Sequence, residues 1–151
     1  MDERMDLKHK ADVSQEDRSR ADMYNFLGLV LARPADDILL EQMSQLSGDQ
    51  SELGKAVETL KRVSKVSKPN SVEIEFNQLF IGVGRGELLP YASYYLTGFL
   101  NEKPLAALRR DMVNLGLSRA SNVYEPEDNI ASLMEMMAAL IVGRFGSPVS
   151  L

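Results

Sequence analysis

Cysteine is absent from the sequence, and histidine occurs only once, at His9. Without cysteine the chain can form no disulfide, no thiolate zinc site and no cysteine nucleophile, which fits a protein of a reducing compartment. His9 lies in a polar amino-terminal stretch that is not expected to have a fixed position. A Ser-His-Asp arrangement would therefore lack a positioned base, and we predict no catalytic residue, metal site or cofactor.

Long apolar runs are also missing. The first twenty residues, MDERMDLKHKADVSQEDRSR, mix both signs of charge and contain no apolar stretch, so they do not resemble an export signal. No other segment is both long enough and sufficiently free of charge to cross a bilayer. These observations predict a cytoplasmic protein without membrane insertion.

An excess of basic residues is missing too. The 151 residues include 17 lysines and arginines against 22 aspartates and glutamates, which gives a net charge of −5. This balance argues against binding of nucleic acid and favours a positively charged partner. Because 44% of the residues are hydrophobic, a chain of this length can bury a core as a single domain.

Apolar residues recur at helical spacing almost throughout, which predicts an all-α fold. Ser14, Asp36 and Ser51 are expected to cap the first three helices. The stretch 71–81 fits both a strand and a helix, and we predict a helix because the sequence offers no second strand to pair with it. The helical domain is predicted over 14–145, between a flexible tail at 1–13 and an irregular tail at 146–151.

Three later helices are predicted to begin at the prolines Pro90, Pro104 and Pro126, since proline is favoured in the first turn of a helix. The side chains expected to face inward after Pro90 are Ala92, Tyr95, Leu96 and Phe99. The last helix carries an apolar stripe broad enough to indicate packing on several sides. Its methionines, Met134, Met136 and Met137, are interpreted as core residues, although methionine surfaces also suit partners of varied shape.

The segment GVGRG places glycines at Gly82, Gly84 and Gly86. A dinucleotide fingerprint needs G-x-G-x-x-G between a strand and a helix, and a P-loop needs G-x-x-x-x-G-K-[ST]. Neither the spacing nor the context matches. We interpret the segment as a connection between helices that needs the conformational freedom of glycine.

Acidic residues cluster at Glu125, Glu127 and Asp128. They are candidates for a metal site or an acid/base pair, but no histidine or cysteine lies nearby. Carboxylates in the first turn of a helix more often complement the helix dipole. Arg109 and Arg110 are expected to point in different directions on a solvated helix face.

Four segments occur in a characteristic order and spacing: EFNQLFIG, LPYASYYL, PLAALRRDMVNLGL and EPEDNIASLMEMMAALI. They resemble the TorD/DmsD/NarJ family of redox-enzyme maturation chaperones in two sequence blocks, and the resemblance covers roughly Ala21 to Phe145. The first block is aromatic-x-x-Leu-Phe-x-Gly followed by Pro-aromatic-x-Ser-x-Tyr, and the second is Glu-Pro-x-Asp-His. Here Asn129 replaces the histidine of the second block, which puts any role for a titrating imidazole in doubt.

The resemblance implies an all-helical chaperone that binds the twin-arginine signal peptide of a molybdoenzyme precursor, holds it back from export and assists cofactor insertion. The form LFIGVGRGELLPYASYYLTGFL is similar to members associated with formate dehydrogenases. A basic and apolar peptide calls for carboxylates beside an aromatic-lined groove. The peptide-binding residues that we predict on this basis are Phe76, Leu79, Phe80, Gly82, Pro90, Tyr91, Ser93, Tyr95, Glu125, Pro126, Glu127, Asp128 and Asn129. The alternative is a small-molecule or nucleotide-binding enzyme with an unrecognised pocket.

Members of the resembled family usually continue with further helices, whereas this sequence ends in GRFGSPVSL. We expect either a shortened form or an incomplete chain, and an apolar surface on the last helix that needs a cover. This expectation predicts a homodimer that exchanges helices or docks its exposed apolar faces.

Overall fold

The structure, a computed structural model, describes residues 13–84 and 86–144. Its helices are α1 (Gln15–Ala32), α2 (Asp37–Ser44), α3 (Glu52–Val66), α4 (Pro69–Phe76), a π-helix (Asn77–Ile81), α5 (Ala92–Thr97), α6 (Lys103–Asn114) and α7 (Ile130–Ile141). The all-α prediction is confirmed. Within the described ranges, no helix is long and apolar enough to cross a membrane. The predicted tails lie outside the described residues, apart from Val13.

The chain divides into two compact units. Of the described residues, the first unit contains 13–29 and 91–144, and therefore most of α1 together with α5, α6 and α7. Its core includes Ala21, Ala138 and Ile141, against which Tyr24 and Val142 pack. Ser14 caps α1 as predicted, because its Oγ accepts a hydrogen bond from the amide of Asp17 at 3.0 Å.

The second unit, Val30–Pro90, contains α2, α3, α4 and the π-helix. Leu39 and Met43 are buried where α2 packs against α3. The predicted caps of both helices are confirmed. Asp36 accepts from the amide of Leu39 at 2.9 Å, and Ser51 accepts from the amide of Gly54 at 3.0 Å.

The segment 71–81 is helical, as predicted, but its hydrogen-bonding period changes. It begins in α4, with Pro69 in the first turn, and continues into the π-helix at Asn77. Gly82 ends the π-helix with φ 61° and ψ 178°, a backbone conformation that favours glycine.

The glycine-rich connection folds back onto the end of the π-helix. The amide of Leu88 donates to the carbonyl of Leu79 at 2.7 Å, and the amide of Glu87 donates to the carbonyl of Gln78 at 3.3 Å. A Cβ atom on Gly86 would lie only 2.5 Å from the carbonyl carbon of Phe80. Gly86 therefore allows two stretches of backbone to approach each other, which supports the interpretation of this segment as a connection between helices.

The predicted starts of two helices are wrong. α5 begins at Ala92, with Tyr91 as its N-cap, and not at Pro90. α7 begins at Ile130, with Asn129 as its N-cap, and not at Pro126. Both errors have one physical cause, because Tyr91 and Asn129 form an isolated antiparallel bridge that holds the two helix starts in extended backbone.

The predicted inward face of α5 is also wrong for three of its four residues. Tyr95, Leu96 and Phe99 are 66%, 71% and 68% exposed, respectively. Ser93, in the first turn of α5, is the fully buried residue of this helix. The short helix therefore presents a small polar residue to the interior and large apolar ones to solvent.

The broad apolar stripe of α7 is covered within the chain. Every residue of this helix except Glu135 is buried or half-buried, and Ala138 and Ile141 are almost completely buried. The expectation that α7 exposes an apolar face is therefore wrong. The homodimer remains a prediction, but an exposed apolar face on α7 no longer supports it.

Candidate functional site

The predicted peptide-binding residues divide between the two units. The second unit holds Phe76, Leu79, Phe80, Gly82 and Pro90, and the first unit holds Tyr91, Ser93, Tyr95, Glu125, Pro126, Glu127, Asp128 and Asn129. In the second unit, the half-buried rings of Phe76 and Phe80 pack with their centroids 4.8 Å apart and a tilt of 54°. In the first unit, most of the predicted residues lie around the bridge between the starts of α5 and α7.

Tyr91 links this bridge to the acidic segment. Its hydroxyl donates a hydrogen bond to the carboxyl group of Glu125. Burial, followed by that hydrogen bond and the charge of Glu125, raises the pKa of Tyr91 to about 12. Asn129 caps α7, since its Oδ1 accepts from the amide of Ala131 at 2.9 Å. An asparagine side chain suits this cap, and no titrating group is needed for it.

Asp128 is almost completely buried within the first unit, with only 2% of its surface exposed. Its Oδ2 accepts from the amide of Ser93 at 2.8 Å, and its backbone carbonyl accepts from the amide of Ala92 at 3.0 Å. Its Oδ1 and the Oγ of Ser93 have no hydrogen-bond partner among the described residues. An unsatisfied buried acceptor costs about 1–3 kcal/mol. Because Oδ1 has almost no exposed surface, a donor reaches it only if the side chains around it move.

Asp128 contributes to a pocket of about 330 Å³ between α5, α6 and α7, which we name the aspartate pocket. The other residues that line it are Ala92, Leu96, Pro104, Ala107, Leu108, Asp111 and Leu133. Its wall is thus apolar except for two carboxyl groups, and none of these lining residues is cationic. Such a surface fits a ligand that combines an apolar part with a positive charge.

Glu127 has a different environment, because its charge is already paired. Its carboxylate accepts from Arg109, at 2.7 Å from Nη2 and 2.9 Å from Nε, and the Nε of Arg119 lies 3.8 Å away. Burial raises the pKa of Glu127, but the hydrogen bond from Arg109 and the two positive charges outweigh it and hold the pKa below its ordinary value. Arg109 therefore makes a specific ion pair while it stays exposed on the solvated helix face, as expected.

Glu125 and Glu127 line a second pocket of about 370 Å³, bounded by α6, α7 and the segment 118–127. We name it the methionine pocket, because Met112 and Met136 also line it. The three predicted acids are thus divided between two pockets. None of them lies in the first turn of α7, which begins at Ile130, so the helix-dipole interpretation is wrong.

Sequence reasoning misses Asp111 and Arg119. Asp111 lines the same pocket as Asp128 because α6 packs beside α5. The sequence around Asp111 suggests only an ordinary exposed position on a helix. Arg119 lies in an irregular segment, where its Nη1 donates to the carbonyls of Tyr124 and Glu125 at 3.4 and 3.3 Å. No local pattern marks either residue. In the part of the chain that the structure describes, no group of three or more histidine, aspartate or glutamate side chains could hold a metal ion.

Comparison with known proteins identifies the family of the chain. Residues 46–149 match the family model described as the nitrate reductase delta subunit. The chain is 25% identical over 146 residues to the chaperone protein TorD of Vibrio parahaemolyticus, a match that covers 87% of this chain and 68% of the relative. It is 28% identical over 138 residues to TorD of Aliivibrio fischeri, covering 82% and 64%, respectively.

A third relative, TorD of Vibrio cholerae, is 32% identical over 105 residues, a match that covers 66% of this chain and 48% of the relative. The chain thus spans between about half and two thirds of the length of these relatives. No solved structure matches it significantly.

Proposed function

Since the chain belongs to the nitrate reductase delta subunit family, which includes the TorD-like chaperones, we propose that it is a maturation chaperone for a molybdoenzyme. The relatives are named chaperone proteins, and the family is one of chaperones and not of enzymes. This sets aside the alternative of a small-molecule or nucleotide-binding enzyme. A chaperone of this kind binds its client before export, so the cytoplasm is the expected compartment.

The client segment that we assign to this protein is a twin-arginine signal peptide. Such a peptide has a basic head followed by an apolar stretch. The single observation that carries the assignment is the aspartate pocket, with apolar walls and the carboxyl groups of Asp111 and Asp128. A guanidinium group can donate several hydrogen bonds in a fixed planar geometry to such acceptors.

Exposed apolar side chains beside the pocket support the same assignment. Leu96 lines the pocket and is 71% exposed, while Tyr95 and Phe99 are exposed on and just after the same short helix. Clustered exposed apolar residues are typical of protein-binding surfaces. They supply an apolar contact area next to the two carboxyl groups, as a basic and apolar peptide requires.

A formate dehydrogenase precursor is the client that we favour, because the sequence LFIGVGRGELLPYASYYLTGFL is similar to chaperones associated with those enzymes. Competition between labelled signal peptides tests this choice. The formate dehydrogenase peptide should displace the signal peptides of other molybdoenzymes at lower concentration. The reverse order would assign the protein to a different client and leave the class of function intact.

The direct test is fluorescence anisotropy with a labelled twin-arginine peptide and the variants Asp111→Asn and Asp128→Asn. Hydrogen bonds that involve charged groups contribute about 1.5–3 kcal/mol, so Asp128→Asn, at a buried position, should weaken binding by roughly tenfold to a hundredfold. Asp111 is exposed, so Asp111→Asn should weaken binding by only about two- to fivefold. The amide at position 128 still offers an oxygen to the amide of Ser93, which limits the effect on folding. Higher salt should weaken the binding of the unmodified protein.

Asp22→Asn is the matched control, because it removes the same charge from an exposed position of α1 that does not line the pocket. Its affinity should equal that of the unmodified protein at moderate salt. Peptides in which glutamine replaces both arginines should lose binding. If all three asparagine variants bind equally well, or if the glutamine peptide binds as tightly, the aspartate pocket is not the peptide site.

A further inference from the structure

The methionine pocket is separate from the aspartate pocket, since no residue lines both. Its volume of about 370 Å³ lies near the lower end of small ligand sites, which span roughly 300–1,000 Å³. The space therefore suits one or two side chains of a partner better than a large cofactor. The chemistry of its wall then decides which side chains fit.

One wall of the pocket is apolar and adaptable. It includes Met112, which is 7% exposed, the half-buried Met136 and the buried Ala139. Methionine side chains are unbranched and polarisable, so they adjust to apolar groups of different shape. This wall favours an aliphatic or methionine side chain.

The rim of the pocket carries three glutamates, and of these only Glu127 has an ion pair among the described residues. Glu127 is paired with Arg109 and Arg119, as described above. Glu125 accepts a hydrogen bond from a tyrosine hydroxyl, and the carboxylate of Glu135 has neither a hydrogen bond nor an ion pair to another side chain within the described ranges. Apart from the paired Glu127, the rim therefore carries two carboxylates, those of Glu125 and Glu135, and one further guanidinium, that of Arg144.

We propose that the methionine pocket is a second binding site, for an aliphatic side chain adjacent to a lysine or arginine in a protein partner. The aliphatic group packs on Met112 and Met136, and the neighbouring cation lies at the rim between Glu125 and Glu135. The charge complementarity of the rim selects a basic segment over an acidic one. The site contains neither Asp111 nor Asp128, so it stands whether or not a signal peptide binds at the aspartate pocket.

The test follows methionine methyl signals by NMR, with ¹³C-methyl methionine in the full chain. The probe is the peptide acetyl-Gly-Leu-Lys-Leu-Gly-amide, and its control has glutamate in place of lysine. The lysine peptide should shift the signals of Met112 and Met136. It should leave that of Met43, which is buried in the other unit, unchanged. The glutamate peptide should shift none of the three.

Two pairs of variants complete the experiment. Ala120→Trp fills the pocket from an exposed lining position and should abolish the shifts, whereas Ala106→Trp, exposed on α6 outside the pocket, should not. Glu135→Gln should raise the dissociation constant about two- to fivefold, as expected for an exposed ion pair. Asp22→Asn should leave it unchanged.

Three results would overturn the proposal. The first is an absence of shifts at both pocket methionines, and the second is an equal response to the lysine and glutamate peptides. The third is a response that Asp111→Asn removes and Ala120→Trp does not, because the peptide would then occupy the aspartate pocket. Failure of the proposed function appears separately, as loss of twin-arginine peptide binding or its insensitivity to Asp111→Asn.

Discussion

Replacing Gly86 by alanine should destabilise the second unit through a collision between backbone atoms. The added Cβ would lie 2.5 Å from the carbonyl carbon of Phe80 and 2.6 Å from the carbonyl oxygen of Leu79. Backbone atoms cannot rotate out of the way, so the connection must move away from the end of the π-helix. The two hydrogen bonds that join these segments, at 2.7 and 3.3 Å, would then lengthen or break.

The magnitude follows from these contacts. Each hydrogen bond contributes about 1 kcal/mol net, and forcing extra volume into a packed site typically costs about 1–3 kcal/mol. We expect the free energy of unfolding to fall by about 3–5 kcal/mol in Gly86→Ala. Urea denaturation followed by far-ultraviolet circular dichroism measures this change.

Gly84→Ala provides the control within the same connection. Gly84 has φ +85°, and a Cβ there would meet no atom within 4 Å. The variant should lose only the roughly 1–2 kcal/mol of left-handed backbone strain. If Gly86→Ala is no more destabilising than Gly84→Ala, close backbone approach does not explain the glycine at position 86.

Three further predictions concern the first unit and the assembly. Glu127→Gln should lower the free energy of unfolding by about 1 kcal/mol at neutral pH. The pKa of Glu127 is lower in the folded chain than the ordinary 4.5. The stability difference between the variant and the unmodified protein should therefore persist above pH 4.5 and shrink as the pH falls through the folded pKa. Urea titrations that give the same difference at every pH would contradict this. Tyr91, whose pKa is raised to about 12, should stabilise the fold fully below pH 10 and progressively less as pH rises towards 12. Ultraviolet difference titration should show a late-ionising tyrosine that Tyr91→Phe removes. Light scattering at micromolar concentration should give the mass of a homodimer, and a monomer mass would refute that prediction.

Local sequence signals predict the helices whose ends depend on their own residues. Asp36 and Ser51 each accept a hydrogen bond from an amide three residues further on, so the side chain and its partner belong to the same short segment. Gly116, with φ 71°, follows the end of α6 as expected of a helix terminator. These features need no information from distant parts of the chain.

The starts of α5 and α7 could not be predicted in this way because they depend on each other. The carboxyl group of Asp128 accepts from the amide of Ser93, 35 residues away in the sequence, and Tyr91 pairs with Asn129. Proline at position 126 favours a helix start locally. The bridge between the two segments overrides that preference and delays α7 until Ile130.

Dependence on distant parts of the chain also limits what the sequence can predict about the candidate site. The resemblance identifies the residue types at Glu125, Glu127 and Asp128, but not the direction in which each side chain lies. Because the segment before α7 is not helical, these neighbours do not share one face. Glu125 and Glu127 line the methionine pocket, whereas Asp128 lines the aspartate pocket with Asp111.

This division determines how the acidic segment has to be studied. A triple amide variant at positions 125, 127 and 128 would alter both pockets and also break the ion pair between Glu127 and Arg109. Its loss of binding would not reveal which pocket holds the ligand. Of these two pockets, Asp111→Asn changes only the aspartate pocket, and Glu135→Gln changes only the methionine pocket. Because both positions are exposed on helices, neither variant creates a buried unsatisfied group, and their effects on binding separate the two sites.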